Sequence, residues 1–423
     1  MKFEPIARNR SAEIFLLGAG GENTLTLTIE LDHTINGAAL QRAVDEALRR
    51  HPLFASAFAV KDECIWYAKN DLPVIVSDLT DDPVIGGKET NYHLFEVHFH
   101  ENVIYMGIHH ALSDGVGINR FLETMFYYYF CDVDKTAYPS DGIGINDGRE
   151  YPGEWEDPFG SFYEVDDKPE SEQNHPSDRE GLVLPENQKE EKEYTKFRIR
   201  LNAAEFMQFV KSHQTSPAVA STLLMMRALR GLYPNEDKLI RAKLPVDLRA
   251  RLGIPETLRN CVVMKPLNYD PRVMDGMDFT EQAKLLRSAL KAETTEDALK
   301  REANGYIGFM GAIEAQETIE RKRLFLAAGR RPDDTAFLLS YMPACKTSGN
   351  HIRSMTTAEK EPYPKFNIFA MDDVFLFDLL QSFSERRYIE AFTGQLAEFG
   401  FSAAISEERY RIPQADVTEM IKG

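Results

Sequence analysis

Strand and helix patterns alternate in two stretches of the chain, and an acidic, turn-rich window separates them. That arrangement limits the fold more than any other feature. In the first stretch, Thr24–Leu31 alternates residue by residue and is rich in β-branched side chains, which reads as a strand. Leu40, Val44, Ala47 and Leu48 then recur at helical spacing, and Pro52 closes that helix. Phe95–Phe99 and Val103–Ile108 read as a hairpin turning at Glu101-Asn102. Gly115 ends a tight turn. Ile118, Phe121, Leu122, Met125 and Phe126 then mark one face of a helix reaching Phe130.

The second stretch has the same make-up. Thr195–Leu201 alternates as a strand, and Asn202 is placed to cap a helix carrying Phe206, Phe209 and Val210. Ser216 followed by Pro217 combines a capping hydroxyl with a first-position proline, for a helix running to Leu232. A strand leads into Leu244-Pro245, and Thr335–Met342 and Val374–Leu380 are further apolar strands. Ser384 reads as the cap of a last helix with Ile389, Phe392 and Leu396 on its apolar face. The alternation predicts an α/β protein with an N-terminal lobe over 1–131 and a C-terminal lobe over 194–423. A chain of 423 residues, 43% of them hydrophobic, is long enough for two cores.

Residues 132–193 hold 19 Asp and Glu against 6 Lys and Arg, so this window carries most of the net charge of −18. It reads as an acidic, solvated crossover linker, with a partner-binding segment as the other reading. A pI of about 5.1 argues against nucleic acid as a partner, because phosphate backbones demand surplus Lys and Arg. An anionic substrate would need a local basic patch. Cys64, Cys131, Cys261 and Cys345 are scattered without C-x-x-C spacing, which indicates neither a zinc knuckle nor a redox motif. The N-terminus lacks the apolar run of a signal peptide, and no stretch nears the roughly 20 apolar residues of a membrane span. The expectation is a cytoplasmic monomer with reduced thiols and no membrane span.

Chemistry concentrates at residues 109–115, where an apolar strand delivers two histidines to a polar turn followed by a helix. Neighbours on a strand point to opposite faces, so one histidine can face the core and the other a cleft. Histidine is the side chain best suited to move protons near neutral pH. Asp114, across the turn, could orient the loop by pairing with an arginine. A metal reading competes, because His98, His100, His109, His110 and Asp114 are close in sequence and His98 and His100 share a strand face. No H-E-x-x-H motif or cysteine set accompanies them, and no G-x-S-x-G elbow occurs.

His109-His110-Ala111-Leu112-Ser113-Asp114-Gly115 matches the HHxxxDG signature in full. On it, the chain resembles the superfamily of condensation domains of non-ribosomal peptide synthetases, chloramphenicol acetyltransferase, carnitine acyltransferases and alcohol acyltransferases. Arg50-His51-Pro52-Leu53 resembles the family's R-H-x-x-L-R element, with Phe54-Ala55 where an arginine is common. Pro245-Val246-Asp247-Leu248-Arg249 resembles the stretch whose arginine pairs with the signature aspartate. Asn260, Pro266 and Leu267 match the following G-N…P-L element, with Arg259 in place of the glycine. Ser340-Tyr341 sits where relatives often carry a strand-borne polar pair. The D-F-G-W-G motif of the plant branch is absent.

The resemblance spans residues 25 to 400 and implies two chloramphenicol-acetyltransferase-like lobes around a tunnel, joined at the acidic window. It implies transfer of an acyl group from a thioester, on coenzyme A or a carrier protein's pantetheine arm, to an alcohol or amine. Natural-product biosynthesis is the implied setting. His110 would be the general base, and His109 would pack. Asp114 and Arg249 would hold the loop and clamp the lobes. Gly115 N–H, Ser340 and Asn260 would serve the oxyanion or substrate. No metal, tightly bound cofactor or covalent enzyme intermediate is implied. A degenerate condensation-like binding or docking module is the alternative, and a metal hydrolase is a third reading.

Overall fold

Every predicted strand in the first stretch finds a partner. A computed structural model describes residues 3–18, 23–166, 179–188, 193–329, 333–342, 345, 351–360, 362–371, 373–412 and 414–421. Among these, one five-stranded sheet has the order Ile352–Glu359, Thr24–Leu31, Val103–His109, Phe95–His100 and Ser77–Asp78. Its strands run antiparallel except for the last pair. The hairpin aligns His100 with Val103 and turns at Glu101 and Asn102, with Glu101 in the left-handed region at φ 52°. Helices Gly37–Arg50 and Gly115–Val133 bury Leu40, Val44, Phe121, Met125 and Phe126 in the same core as this sheet's strands. A small sheet of Glu4–Arg8, Cys64–Lys69 and Ala57–Lys61 adds Phe58 and Tyr67 to that core.

The second sheet has seven strands among the described residues. In order they are Val262–Tyr269, Ile240–Asp247, Phe337–Met342, Lys365–Ala370, Val374–Gln381, Thr195–Asn202 and Ile405–Arg409. Phe337–Met342 runs parallel to both neighbours, and the other pairs are antiparallel. Helices Pro217–Leu232 and Arg387–Glu398 pack with it around Phe206, Leu223, Phe366, Phe377 and Phe392. Asn202 and Ser216 cap their helices through their side chains as expected. Ser384 does not. The helix expected there begins at Arg387, after Gln381 Nε2 donates to the carbonyls of Phe383 and Glu385 (2.8 Å each) and holds the approach in a turn.

Residues 194–423 are not confined to a lobe of their own. Ile352–Glu359 pairs along nearly the whole of Thr24–Leu31, from Ile352 opposite Leu31 to Glu359 opposite Leu25, with one register shift between Ile352 and Ser354. Without it, Thr24–Leu31 would present an open edge of unpaired backbone groups. Val417 and Met420, near the C-terminus, also enter the first core, where the Phe58 N–H approaches the Met420 sulfur at 3.4 Å.

The acidic window is also more than a solvated connection. Glu154, Phe159, Leu184 and Glu186 are buried. Leu182 donates its N–H to the Leu239 carbonyl (2.7 Å) and joins the second core with Leu184. Residues 167–178 and 189–192 of the window lie outside the described residues. No described helix is long and apolar enough to cross a membrane.

Candidate active site

The strand Val103–His109 ends with His109 opposite Thr24, in the core. His109 Nδ1 accepts from the Ala111 N–H (3.1 Å), which fixes this imidazole against the backbone of the turn. His110 leaves the strand facing the other way. Its N–H donates to the Asn23 carbonyl (2.7 Å), and its ring stacks on Phe15 at 5.2 Å between centroids and 5° between planes. Its Nδ1 is buried with no hydrogen-bond partner among the described residues. Burial pushes the His110 pKa below its ordinary value, and the Lys365 ammonium adds to this, against opposing pulls from Glu359 and Asp114. The imidazole is therefore neutral near pH 7, the form that accepts a proton.

Asp114 faces away from this chemistry. Its Oδ1 accepts from the Val116 and Gly117 N–H groups (3.1 Å each), which caps the helix Gly115–Val133. The same oxygen accepts from Arg249 Nη2, and Oδ2 accepts from the Cys261 N–H, both at 2.8 Å. Arg249 is 2% exposed and also donates to Asp247 (2.7 Å) and to the carbonyls of Thr257 and Arg259. Burial lowers the Arg249 pKa, but the Asp114 and Asp247 carboxylates outweigh it and push it up. Both Asp114 oxygens are thus committed to holding the turn against residues 247–261. Ser113 Oγ donates to the Leu258 carbonyl. A Cβ on Gly117 would lie 2.5 Å from that carbonyl oxygen and 2.1 Å from Ser113 Oγ, so only glycine permits this approach. Asn260 Nδ2 donates to the His110 carbonyl (2.8 Å), which fixes the catalytic candidate's backbone from the second half of the chain.

Arg259, where the family pattern has glycine, is buried and held through both Nη atoms. It donates to the carbonyls of Trp155 and Arg8 and to Asp157, over the Tyr67 ring. It therefore ties the loop to the window segment and to the first strand. Cys261 is buried, and burial outweighs nearby Arg249 to push its thiol up to about 12, which makes it a poor nucleophile.

A cavity of about 1040 Å³ brings together His110, Gly115, Asn260 and Ser340, and Asp114 reaches its wall. His109 and Arg249 stand behind that wall. Gly115 is exposed, and a Cβ there would meet nothing within 4 Å. Ser340 sits on Phe337–Met342, in register with Asn367.

Sequence reasoning missed a polar cluster on the same wall. Thr357 and Glu359 come from Ile352–Glu359, and Lys365 and Asn367 come from Lys365–Ala370. Asn367 Nδ2 donates to Thr357 Oγ1 (2.7 Å) and Glu359 Oε1 (3.2 Å), and Lys365 pairs with Glu359 Oε2. Burial raises the Glu359 carboxyl, but the Lys365 ammonium overrides this and holds it below its ordinary value. The polar residues Ser354, Thr356, Thr357 and Glu359 in one short stretch were the available signal.

The window segment contributes too. Tyr151 and Glu154 line the cavity, with the Arg50 guanidinium 3.4 Å above the Tyr151 ring. Glu154 accepts from Arg50 and meets His51 Nδ1 at 3.0 Å, while His51 Nε2 meets Thr124 Oγ1 at 2.9 Å. The five residues of the competing metal reading do not converge. His98 faces Glu96 (2.8 Å) and Asp82 (3.6 Å), and His100 faces Asp78 (3.1 Å).

No family model matches the chain, and no curated protein matches it in sequence. Solved structures do match in fold. Polyketide synthase associated protein 5 from Mycobacterium tuberculosis superposes with a TM-score of 0.60 at 15% identity, covering 94% of this chain and 98% of its own. The first condensation domain of the CDA synthetase gives 0.61 at 13%, covering 94% and 97%. TRI101 from F. graminearum, in complex with ethyl coenzyme A, gives 0.60 at 11%, covering 95% and 99%. Over nearly its whole length, this chain has the α/β fold of these three structures.

Proposed function

We propose that this protein transfers an acyl group from a thioester, on coenzyme A or a pantetheine arm, to an alcohol or amine, with His110 as general base. One observation carries the reading. A neutral, positioned imidazole opens into a cavity lined from both halves of the chain, while the neighbouring aspartate is committed to structure. The likeness in fold to a protein solved with ethyl coenzyme A supports the choice of donor.

His110 takes the proton of the acceptor hydroxyl or amine as that atom attacks the thioester carbonyl. The tetrahedral oxyanion then collapses, the C–S bond breaks, and the proton passes from His110 to the departing sulfur. Candidate oxyanion donors are the Gly115 N–H, at a helix start where backbone amides lack intrahelical acceptors, and the Ser340 hydroxyl.

Free thiol release from a panel of acyl-CoAs tests the proposal. Release should require an acceptor and fall about 10²–10⁴-fold in His110→Ala, with circular dichroism unchanged. Full activity in that variant removes His110 from the mechanism. Absence of release with every donor and acceptor favours a binding module.

A further inference from the structure

Away from the cavity, three segments meet at a second cluster. Asp32 and His33 follow the strand Thr24–Leu31, Asp134 follows the helix Gly115–Val133, and His351 precedes the strand Ile352–Glu359. We propose that Asp32, His33 and His351 bind a divalent transition-metal ion of the zinc class, which clips the strand Ile352–Glu359 to the first sheet.

The convergence of two imidazoles on one carboxylate carries the inference. His351 Nε2 lies 3.0 Å from Asp134 Oδ2, so an ionised Asp134 requires a proton on that nitrogen. A neutral ring then turns a bare lone pair at Nδ1 toward Asp32, whose oxygens are 3.2 and 3.3 Å away. Two lone pairs at that distance repel unless a second proton or a metal ion lies between them. His33 directs its Nδ1 at the same carboxylate, 2.7 Å from Oδ1, with its Nε2 3.4 Å from the Tyr129 hydroxyl.

Both imidazoles therefore present Nδ1 to one carboxylate while a second group holds the far nitrogen. That is the outer-shell pattern that orients metal-bound histidines. The rings are fixed by packing: His351 lies 4.7 Å from the Phe130 ring, and His33 stacks 6.0 Å from Tyr129. His33 Nδ1 and His351 Nδ1 lie 2.7 and 3.2 Å from Asp32 Oδ1, so small side-chain shifts let one ion reach all three at about 2.0–2.1 Å. Arg353 Nη2 takes Asp32 Oδ2 (3.3 Å) and leaves Oδ1 to the ion. Two imidazole nitrogens with one carboxylate select zinc-like ions over calcium or magnesium, which prefer all-oxygen shells. The cluster is half open to solvent, so water can fill the fourth position.

The test uses the full chain, stripped with EDTA and titrated with zinc sulfate against a chromophoric chelator. The expected result is one equivalent bound that disappears in a His33→Gln/His351→Gln double variant. Asp134→Asn should weaken it about 10- to 100-fold. Zinc should also raise the melting temperature of the wild type and not of the double variant. Two results overturn the proposal: no zinc bound by the wild type, or equal binding by wild type and double variant. The first would mean that protons alone hold the two imidazoles against Asp32.

Discussion

At the scale of single residues, the depressed basicity of His110 makes a prediction with a definite sign. A base must be deprotonated to act, so the rate should stay on its plateau below the ordinary histidine pKa of about 6.5 and fall only in more acidic buffer. Stability moves the same way. The unfolded chain protonates this histidine below about pH 6.5 while the folded chain resists, so acid weakens folding there. His110→Gln should flatten that part of a stability–pH curve measured by urea unfolding. Gly115 makes a different prediction. Its backbone is unstrained and a Cβ there would be unopposed, so its small size serves the cavity rather than the turn. Gly115→Val should leave melting nearly unchanged and raise KM for bulky acyl donors. A large fall in melting temperature would return Gly115 to a packing role. His110, Asp114 and Gly115 were legible in sequence because a strand, turn and helix place them together locally. Glu359 and Lys365 were not, because only strand pairing and the fold bring them to face His110.

At the scale of elements, the stretch around Glu154 shows where composition misleads. Its acidic surroundings read as solvated, yet Glu154 is 3% exposed between Arg50 and His51. Charge averaged over 62 positions hides one carboxylate that has cationic partners. Pro152, Trp155 and Phe159 were the discordant residues that a finer reading would have weighed. Removing one member of a buried ion pair typically costs about 3–5 kcal/mol. Glu154→Ala should fall at the low end of that range, because Arg50 retains the Tyr151 ring. Urea unfolding measures the loss, and faster limited proteolysis within residues 142–159 would locate it. Unchanged stability and proteolysis would mean that this segment merely rests on the helix Gly37–Arg50. Asp114→Ala belongs with a tighter element, since it removes a helix cap and strands a buried guanidinium together. It should cost at least about 3–5 kcal/mol.

At the scale of the whole molecule, the crossing strand Ile352–Glu359 couples the two large sheets. It belongs to the first sheet, yet Thr356 Oγ1 donates to Asp378 Oδ2 (2.6 Å) on the second. Arg198 completes the tie, donating to both Asp378 oxygens (2.7 and 2.8 Å) and to the Met355 carbonyl (3.3 Å). Asp378 is fully buried, so this link works at low dielectric. Together with the Asp114–Arg249 pair and the Asn260 contact, it should make the two cores unfold as one. The sequence anticipated two units but not that one would lend a strand to the other, because a solitary polar strand carries no mark of its partner. The tryptophans supply a test. Of the chain's two, Trp155 packs against the first core and Trp66 lies on the small sheet that joins it, so fluorescence reports that unit while far-ultraviolet circular dichroism reports the whole. In the wild type the two urea transitions should coincide. In an Asp378→Ala/Arg249→Ala double variant they should separate, because the ties between the sheets are cut while each hydrophobic core is left whole. Separate transitions in the wild type would show that the crossing strand follows the first sheet alone and that the buried carboxylates do not couple the units.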